Sequence, residues 1–216
     1  MVAFKAHLEN TSAEPGACEI YFYRGGYGGV NSIENGLSNL CFIASARDVR
    51  SNGADAERVM REVVCKNERA AFTLEQAKLS SPWLAVSLEG FGRSSAPPVK
   101  GLLAIGDAAS FIDPFTGSGM LMALESGELA ADAISHYLNG QPTVRSLDTL
   151  QAIYAERYRA TFNSRLRTCA LLRRAAFLPG LAATAINLAG ASEVVRRKLA
   201  LATRGGRGET SAAAMR

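Results

Sequence analysis

At 216 residues, with 48% hydrophobic and 20% charged side chains, the chain has the composition of a globular protein, long enough for one large domain or two small ones. No apolar run approaches the roughly 18 residues of a membrane span, and MVAFKAHLENT lacks the apolar centre of a signal peptide. The net charge of +4 is unevenly spread, at −5 over residues 1–144 and +9 over residues 145–216, where the basic side chains are almost all arginine.

In chain order, Val2 to Leu8 reads as a strand, and Cys18 to Arg24, rich in β-formers, as a stronger one. Gly25-Gly26-Tyr27-Gly28-Gly29 reads as a turn that needs unusual backbone angles. Val30 to Ile33 is the next strand, Asn35-Gly36 the hairpin signal, and Leu37 to Ala44 the strand after it, together an antiparallel meander. Asp55 to Lys66 has the period of an amphipathic helix with Val59, Met60, Val63 and Val64 on its apolar side, and Glu68 to Lys78 that of a shorter one. Pro82 to Leu88 reads as a strand with Trp83 against the sheet, and Ser94 to Pro98 as loop.

The stretch from Gly101 to Asp132 organises the chain. Leu102 to Ile105 is a short apolar run bounded by glycines, the pattern of a strand buried on both faces. A turn at Gly106-Asp107 follows, then a loop with Pro114, Gly117 and Gly119. From Met120 to Ala133 apolar residues recur at helical period. A helix N-terminus presents unpaired N–H groups and partial positive charge, and glycines there admit an anionic or carbonyl-bearing ligand to the backbone. Asp107, at a strand's carboxyl end, is placed to accept hydrogen bonds from ligand hydroxyls. By shape alone, a plain strand–loop–helix connection with turn glycines fits equally well.

Beyond Leu147, residues Leu150, Ile153, Tyr154, Tyr158, Phe162, Leu166, Cys169 and Leu172 fall three or four apart, with arginines between them. This predicts one continuous helix over 147–175, its aromatic side buried and its arginine side in solvent or against anionic headgroups, stopped near Pro179-Gly180. Two shorter helices, Leu181–Leu188 and Glu193–Ala202, and a disordered tail from Gly205 to Arg216 complete the reading.

The spacing Gly106-Asp107-Ala108-Ala109, Pro114, Gly117-x-Gly119-Met120, Ala123-Leu124-x-x-Gly127 resembles the second FAD-binding motif of the geranylgeranyl-reductase and flavoprotein-monooxygenase group, the p-hydroxybenzoate-hydroxylase-like flavoproteins. The resemblance implies FAD as cofactor, with NAD(P)H as a candidate electron donor. It implies a cofactor-binding set of Gly106, Asp107, Pro114, Gly117, Ser118, Gly119 and Met120, with Asp107 on the ribityl chain, Pro114 and Phe115 shaping the loop beside the ring, and the helix start facing the pyrimidine end of the isoalloxazine. It names no catalytic acid or base, because the flavin carries the chemistry. The fold class it implies is mixed α+β and α/β. A substrate-domain-like antiparallel sheet with helices would occupy residues 1–98, the closing strand–loop–helix of an FAD-binding domain 99–145, and a helical region 146–204. The G-x-G-x-x-G strand–helix start of such a protein is missing, so the chain is expected to be a C-terminal portion that needs an N-terminal half or partner chain.

Within that group the GGYGG hairpin and arginine-rich end favour the geranylgeranyl-reductase branch, acting on a small organic or isoprenoid substrate. An aromatic-ring monooxygenase and a flavin-dependent halogenase are the alternatives. From another class, a non-catalytic binding or membrane-surface module would work through the basic helical end, although a solvated helix face accounts for that charge more simply. No nucleic-acid partner is expected. Cys18, Cys41, Cys65 and Cys169 are scattered without C-x-x-C, the pattern of reduced thiols in a cytoplasmic protein. With only His7 and His136, no dedicated metal site is expected.

Overall fold

Alternation of apolar and polar residues along Val2–Glu9 makes this strand, β1, the middle of a six-stranded antiparallel sheet in the computed structural model. The structure describes residues 1–88, 90–93, 99–114, 117–140, 146–176, 192–194 and 197. Phe4, Ala6 and Leu8 of β1 point into the core. On one side β1 pairs with β4 (Ser38–Ala44), placing Phe4 opposite Phe42, and their rings stack at 5.0 Å. β2 (Cys18–Tyr23) and β3 (Gly26–Ser32) extend the sheet beyond β4. The other side of β1 carries β5 (Lys78–Leu79) and β6 (Leu84–Ser87), with Trp83 edge-on to Phe42 at 5.6 Å.

The Asn-Gly hairpin between β3 and β4 forms as expected, with Asn35 at φ 60° and Gly36 at φ +71°. The GGYGG segment differs from expectation. Only Gly25, at φ +84°, sits at the turn, and Gly26 to Gly29 lie within β3. A Cβ on Gly26 would stand 1.9 Å from the Ile43 carbonyl oxygen, one on Gly28 2.8 Å from Phe42 Cβ, and one on Gly29 2.8 Å from the Glu19 carbonyl oxygen. These glycines therefore serve close strand packing rather than a turn. The Tyr23 ring lies over Gly26 and its hydroxyl donates to the Tyr27 and Ile43 carbonyls, at 2.7 and 3.0 Å.

Three helices cover the inner face, each opened by a side-chain cap. Ser45 accepts from the Asp48 N–H to start α1 (Ala46–Ser51), an element with no counterpart in the sequence reading. Asp55 starts α2 (Ala56–Glu62), and Asn67 starts α3 (Glu68–Leu74). The helix expected to Lys66 ends instead at Glu62 and continues as a 3-10 turn over Val64–Lys66, yet Val59, Met60, Val63 and Val64 are all buried. The helix expected to Lys78 stops at Leu74, because Lys78 is drawn into pairing with Glu9.

One polar cluster pins α3 to β2. Glu19 accepts from Nε and Nη2 along one edge of the Arg69 guanidinium, from Thr73 Oγ1 at 2.8 Å, from the Tyr21 hydroxyl and from the Glu14 N–H at 3.2 Å. Burial opposes ionisation of Glu19, but the hydrogen bonds from Arg69, Tyr21 and Thr73 outweigh it and hold its pKa down at about 2. Burial, reinforced by Glu19, pushes the Tyr21 phenol well up.

A second compact unit begins at Gly90. It holds a two-stranded ribbon of β7 (Gly92–Arg93) with β8 (Ser110–Phe111), then α4 (Gly119–Asn139) and α5 (Leu147–Ala176). α5 is the single long helix expected. Leu150, Tyr154, Tyr158, Phe162 and Cys169 are buried along it, against Ile112, Met122, Ala130 and Ala133. α4 and α5 share this unit, and the apolar stripe of α5 lies in its core. Arg157, Arg159, Arg167 and Arg174 are exposed as expected. Arg165 and Arg173 are not: the first is buried on Glu125 at 2.8 Å, the second half-buried on Asp113 at 3.0 Å.

A further expectation is corrected. Leu102 to Ile105 forms no strand among the described residues, and Leu102 and Ile105 are 50% and 45% exposed. The segment has no ladder partners among the described residues, and α5 side chains hold its Leu102 and Ala104 carbonyls. On α4, Met120 and Leu124 are 83% and 71% exposed, and the buried face is Met122, Glu125, Ser126, Ala130 and Ala133. Packing against α5 selects that face, and the more apolar one is left outward. Among the described residues no helix is long and apolar enough to cross a membrane. The loop expected at 94–98 and most of the sequence beyond 176 lie outside the described residues.

The Glu19 cluster gives a pH prediction. A carboxylate whose folded pKa is depressed stabilises the fold fully above its ordinary value of 4.5, and that contribution drains away as pH falls towards about 2. Thermal melts of the wild type should drop over this window. Glu19→Gln should melt lower at pH 6, with the gap closing by pH 2; a constant gap would show that the ionised carboxylate adds nothing.

Candidate functional site

Gly106 stands where the extended segment meets α4. Its φ of +56° favours glycine, and a Cβ there would come within 3.2 Å of Ala123 Cβ. Its N–H donates to Ser126 Oγ at 2.9 Å, and the Ser126 hydroxyl donates to the Ala123 carbonyl, also at 2.9 Å. Ser126 is fully buried. A serine inside a helix is usually a weak helix former; here it clamps the preceding turn to the first turns of α4. On the other side, the Tyr154 hydroxyl donates to the Ala104 carbonyl, and Gln151 Nε2 donates to the carbonyls of Val99 and Leu102, both at 3.0 Å. The Gly106-Asp107 turn is therefore fixed from α4 and from α5 together.

Asp107 is exposed at this turn. It lines an open cleft of about 410 Å³ whose other walls are Pro114, Gly117, Gly119 and Met120, with Phe111, Ile112 and Ala123. Five of the residues singled out in the sequence are thus brought around one cleft. Gly106 lies behind it, and Ser118 is buried at the position preceding α4. Phe115 lies outside the described residues. Phe111 and Ile112 were not foreseen, and Ala123, though part of the motif, was not in the expected cofactor-binding set; the apolar pair Phe111-Ile112 ahead of Pro114 was the available signal.

The cleft opens on the N-terminus of α4, a helix of 21 residues. Gly117, at φ +63°, donates its N–H to the Pro114 carbonyl at 3.0 Å and turns the chain into the helix. The Ser118 side chain makes no cap, and the first turn has no acidic residue. The positive end of the helix therefore meets the cleft without side-chain compensation from those positions. Asp107 is the one ionisable side chain among the described cleft-lining residues. Such a site offers hydrogen bonds and a helix dipole to a ligand, and among the described residues no nucleophile–base pair.

Ser126→Ala keeps the helix and removes the acceptor of the Gly106 N–H. Stability should fall by about 1–3 kcal/mol, the cost of a buried donor left without its partner, read as a lower denaturant midpoint with unchanged slope.

No protein-family model matches the chain. Over 63 residues, 29% of this chain and 15% of the relative, it is 38% identical to a protein named digeranylgeranylglycerophospholipid reductase from Methanosarcina acetivorans. Among solved structures, a flavin-dependent brominase is similar with a TM-score of 0.70 at 16% identity, over 94% of this chain and 49% of that one. A geranylgeranyl bacteriochlorophyll reductase-like protein from Thermoplasma acidophilum is similar with a TM-score of 0.62 at 17% identity, over 94% and 47%. The chain spans about half the length of these two structures and shares its fold with them over that half. The family resemblance is borne out in sequence over 63 residues by the reductase and in fold by the two solved structures.

Proposed function

We propose that the chain is the C-terminal portion of an FAD-dependent oxidoreductase, with the cleft at the start of α4 receiving the flavin. The observation that carries this is the convergence of Asp107, Pro114, Gly117, Gly119 and Met120 on one cleft at a helix N-terminus. The residues fit the group. Gly117 and Gly119 put no side chain between a planar ring and the first amides of α4, and a Cβ on Gly117 would meet nothing within 4 Å. Phe111 and Ile112 supply apolar wall, and Asp107 stands at the edge where sugar-like hydroxyls would lie. FAD, when bound, supplies the electron transfer.

The residues of this chain would bind and orient. Asp107 would accept a ribityl hydroxyl, and the α4 dipole would favour negative charge beside Gly119. Pro114 and Met120 would bound the ring's position. Among the described residues the cleft holds no acid–base pair, which suits chemistry resident in the cofactor.

Within that class, the reading is a reductase of isoprenoid or other small organic substrates, because a relative 38% identical over 63 residues is named digeranylgeranylglycerophospholipid reductase. Halogenation is the second reading, favoured by the brominase match at TM-score 0.70. NAD(P)H is the electron donor we would test first for the reductase.

The test is an FAD titration of the purified protein, with melting followed separately. Asp107→Ala removes a charge-assisted hydrogen bond worth about 1.5–3 kcal/mol, so affinity should fall roughly ten- to hundredfold with the melting temperature little changed. Gly119→Val should also weaken binding, by filling the cleft at the helix start. Unchanged affinity in a folded Asp107→Ala protein would remove the assignment.

A further inference from the structure

Phe111 and Ile112 have two sides. One side lines the cleft; the other lines a smaller cavity of about 70 Å³ together with Phe91, Asp113, Cys169 and Arg173. The cleft wall is therefore a thin partition, and what stands behind it decides whether it keeps its place.

Behind it stands a charged and aromatic stack. Asp113 is only 3% exposed, and its Oδ2 lies 3.0 Å from Arg173 Nε. The Arg173 guanidinium lies over the Phe91 ring, 4.2 Å from its centroid. Phe91 in turn stacks on Phe111 at 5.3 Å with the rings 10° from parallel. Three stretches meet here: Phe91 just before β7, the wall itself, and the last turns of α5. Asp113 directly precedes Pro114, which lines the cleft.

We propose that Asp113 and Arg173 are positioning residues, whose ion pair, stacked through Phe91 onto Phe111, fixes the wall of the cleft from behind. A carboxylate this deeply buried is costly unless opposed by a cation held close. Arginine suits the place because its planar guanidinium can meet a carboxylate with one edge and an aromatic ring with its face. Withdrawing it leaves a buried charge and an unsupported ring, and both strains fall on Ser110–Pro114. That the wall receives a flavin rests on the function proposed above; that it is held from behind does not.

The experiment is hydrogen exchange on the full chain, read in peptides covering Ser110 to Asp113, for Arg173→Gln, Arg173→Lys, Phe91→Leu and the exposed control Arg174→Gln. Arg173→Gln should speed exchange there about tenfold or more through local opening, with the middle of α5 unchanged. Arg173→Lys should restore part of the protection, keeping the charge but losing the stack. Phe91→Leu should loosen the same peptides by a smaller factor, and Arg174→Gln should leave them as in wild type. Unchanged exchange in folded Arg173→Gln, or an increase shared equally by all helices, would overturn the proposal. FAD titration separates the two readings. If wild type binds FAD, Arg173→Gln should bind about tenfold more weakly, the scale of losing about 1.4 kcal/mol; a loosened wall with unchanged affinity would overturn the positioning role. If wild type binds no FAD while Arg173→Gln loosens the wall, the buttress stands and the flavin assignment falls.

Discussion

The second unit depends on the buried stripe of α5. Leu150, Tyr154, Tyr158 and Phe162 recur every four residues, and the three aromatic rings follow one another at 5.8 and 4.6 Å. A helix of 30 residues has little reason to persist alone with so many arginines on it; burying this stripe is what orders it. The stripe also reaches beyond packing. The Tyr154 hydroxyl and the neighbouring Gln151 amide bind three carbonyls of the segment before Gly106. That segment has no ladder partner among the described residues, so α5 supplies the hydrogen bonds that a neighbouring strand would otherwise give. The position of Asp107 at the cleft thus follows from a helix some fifty residues further along the chain.

Charge then fixes register where apolar contact cannot. A helix carrying aromatic residues every four positions could slide by one turn and still bury rings. The Glu125–Arg165 pair, buried on both sides at 2.8 Å, forbids this for α4, since a slip would leave two ions without water or partner. The Asp113–Arg173 pair does the same for the loop. Desolvation offsets much of the attraction in such pairs, so their contribution lies in penalising wrong alignments. The Arg165 guanidinium also lies 5.4 Å from the centre of the Phe162 ring, coupling the charged rung to the apolar ladder below it.

Local signals were legible in the sequence and long-range ones were not. Asn35-Gly36 specifies its hairpin because both left-handed angles are demanded by adjacent residues. The period of α5 was readable for the same reason. The glycines of GGYGG looked like a turn because their reason for being small, the Ile43 carbonyl and the Phe42 side chain, sits on β4. Leu102 to Ile105 has strand composition, but a strand is made by its neighbours. On α4 the helical period was readable but the face was not: Met120 and Leu124 lie outward, whereas the buried face carries Glu125 and Ser126, polar residues admitted to the interior by Arg165 and by the Gly106 N–H. Arg165 and Arg173 were indistinguishable from their exposed neighbours, because their carboxylate partners lie on other elements.

The same division explains why the cleft could be read at all. Much of its shape is set by backbone: Gly106 at φ +56° in the turn behind it, Gly117 at φ +63° in its wall, and the N-terminus of α4. Backbone demands of this kind restrict residue type at the site itself, leaving glycines, a proline and one aspartate at fixed spacing in the sequence. A site built from a nucleophile and its base would instead draw on side chains from distant segments, with no spacing to betray them. The support of this cleft is of that second kind. Ser126, Tyr154, Asp113 and Arg173 come from α4, α5 and the loop, and each is an ordinary residue until the fold brings its partner to it. A Gly-rich motif can therefore be intact in a sequence while the cleft it describes is loosened by a change fifty residues away, and the geometry of the cleft is a property of α5 as much as of the motif.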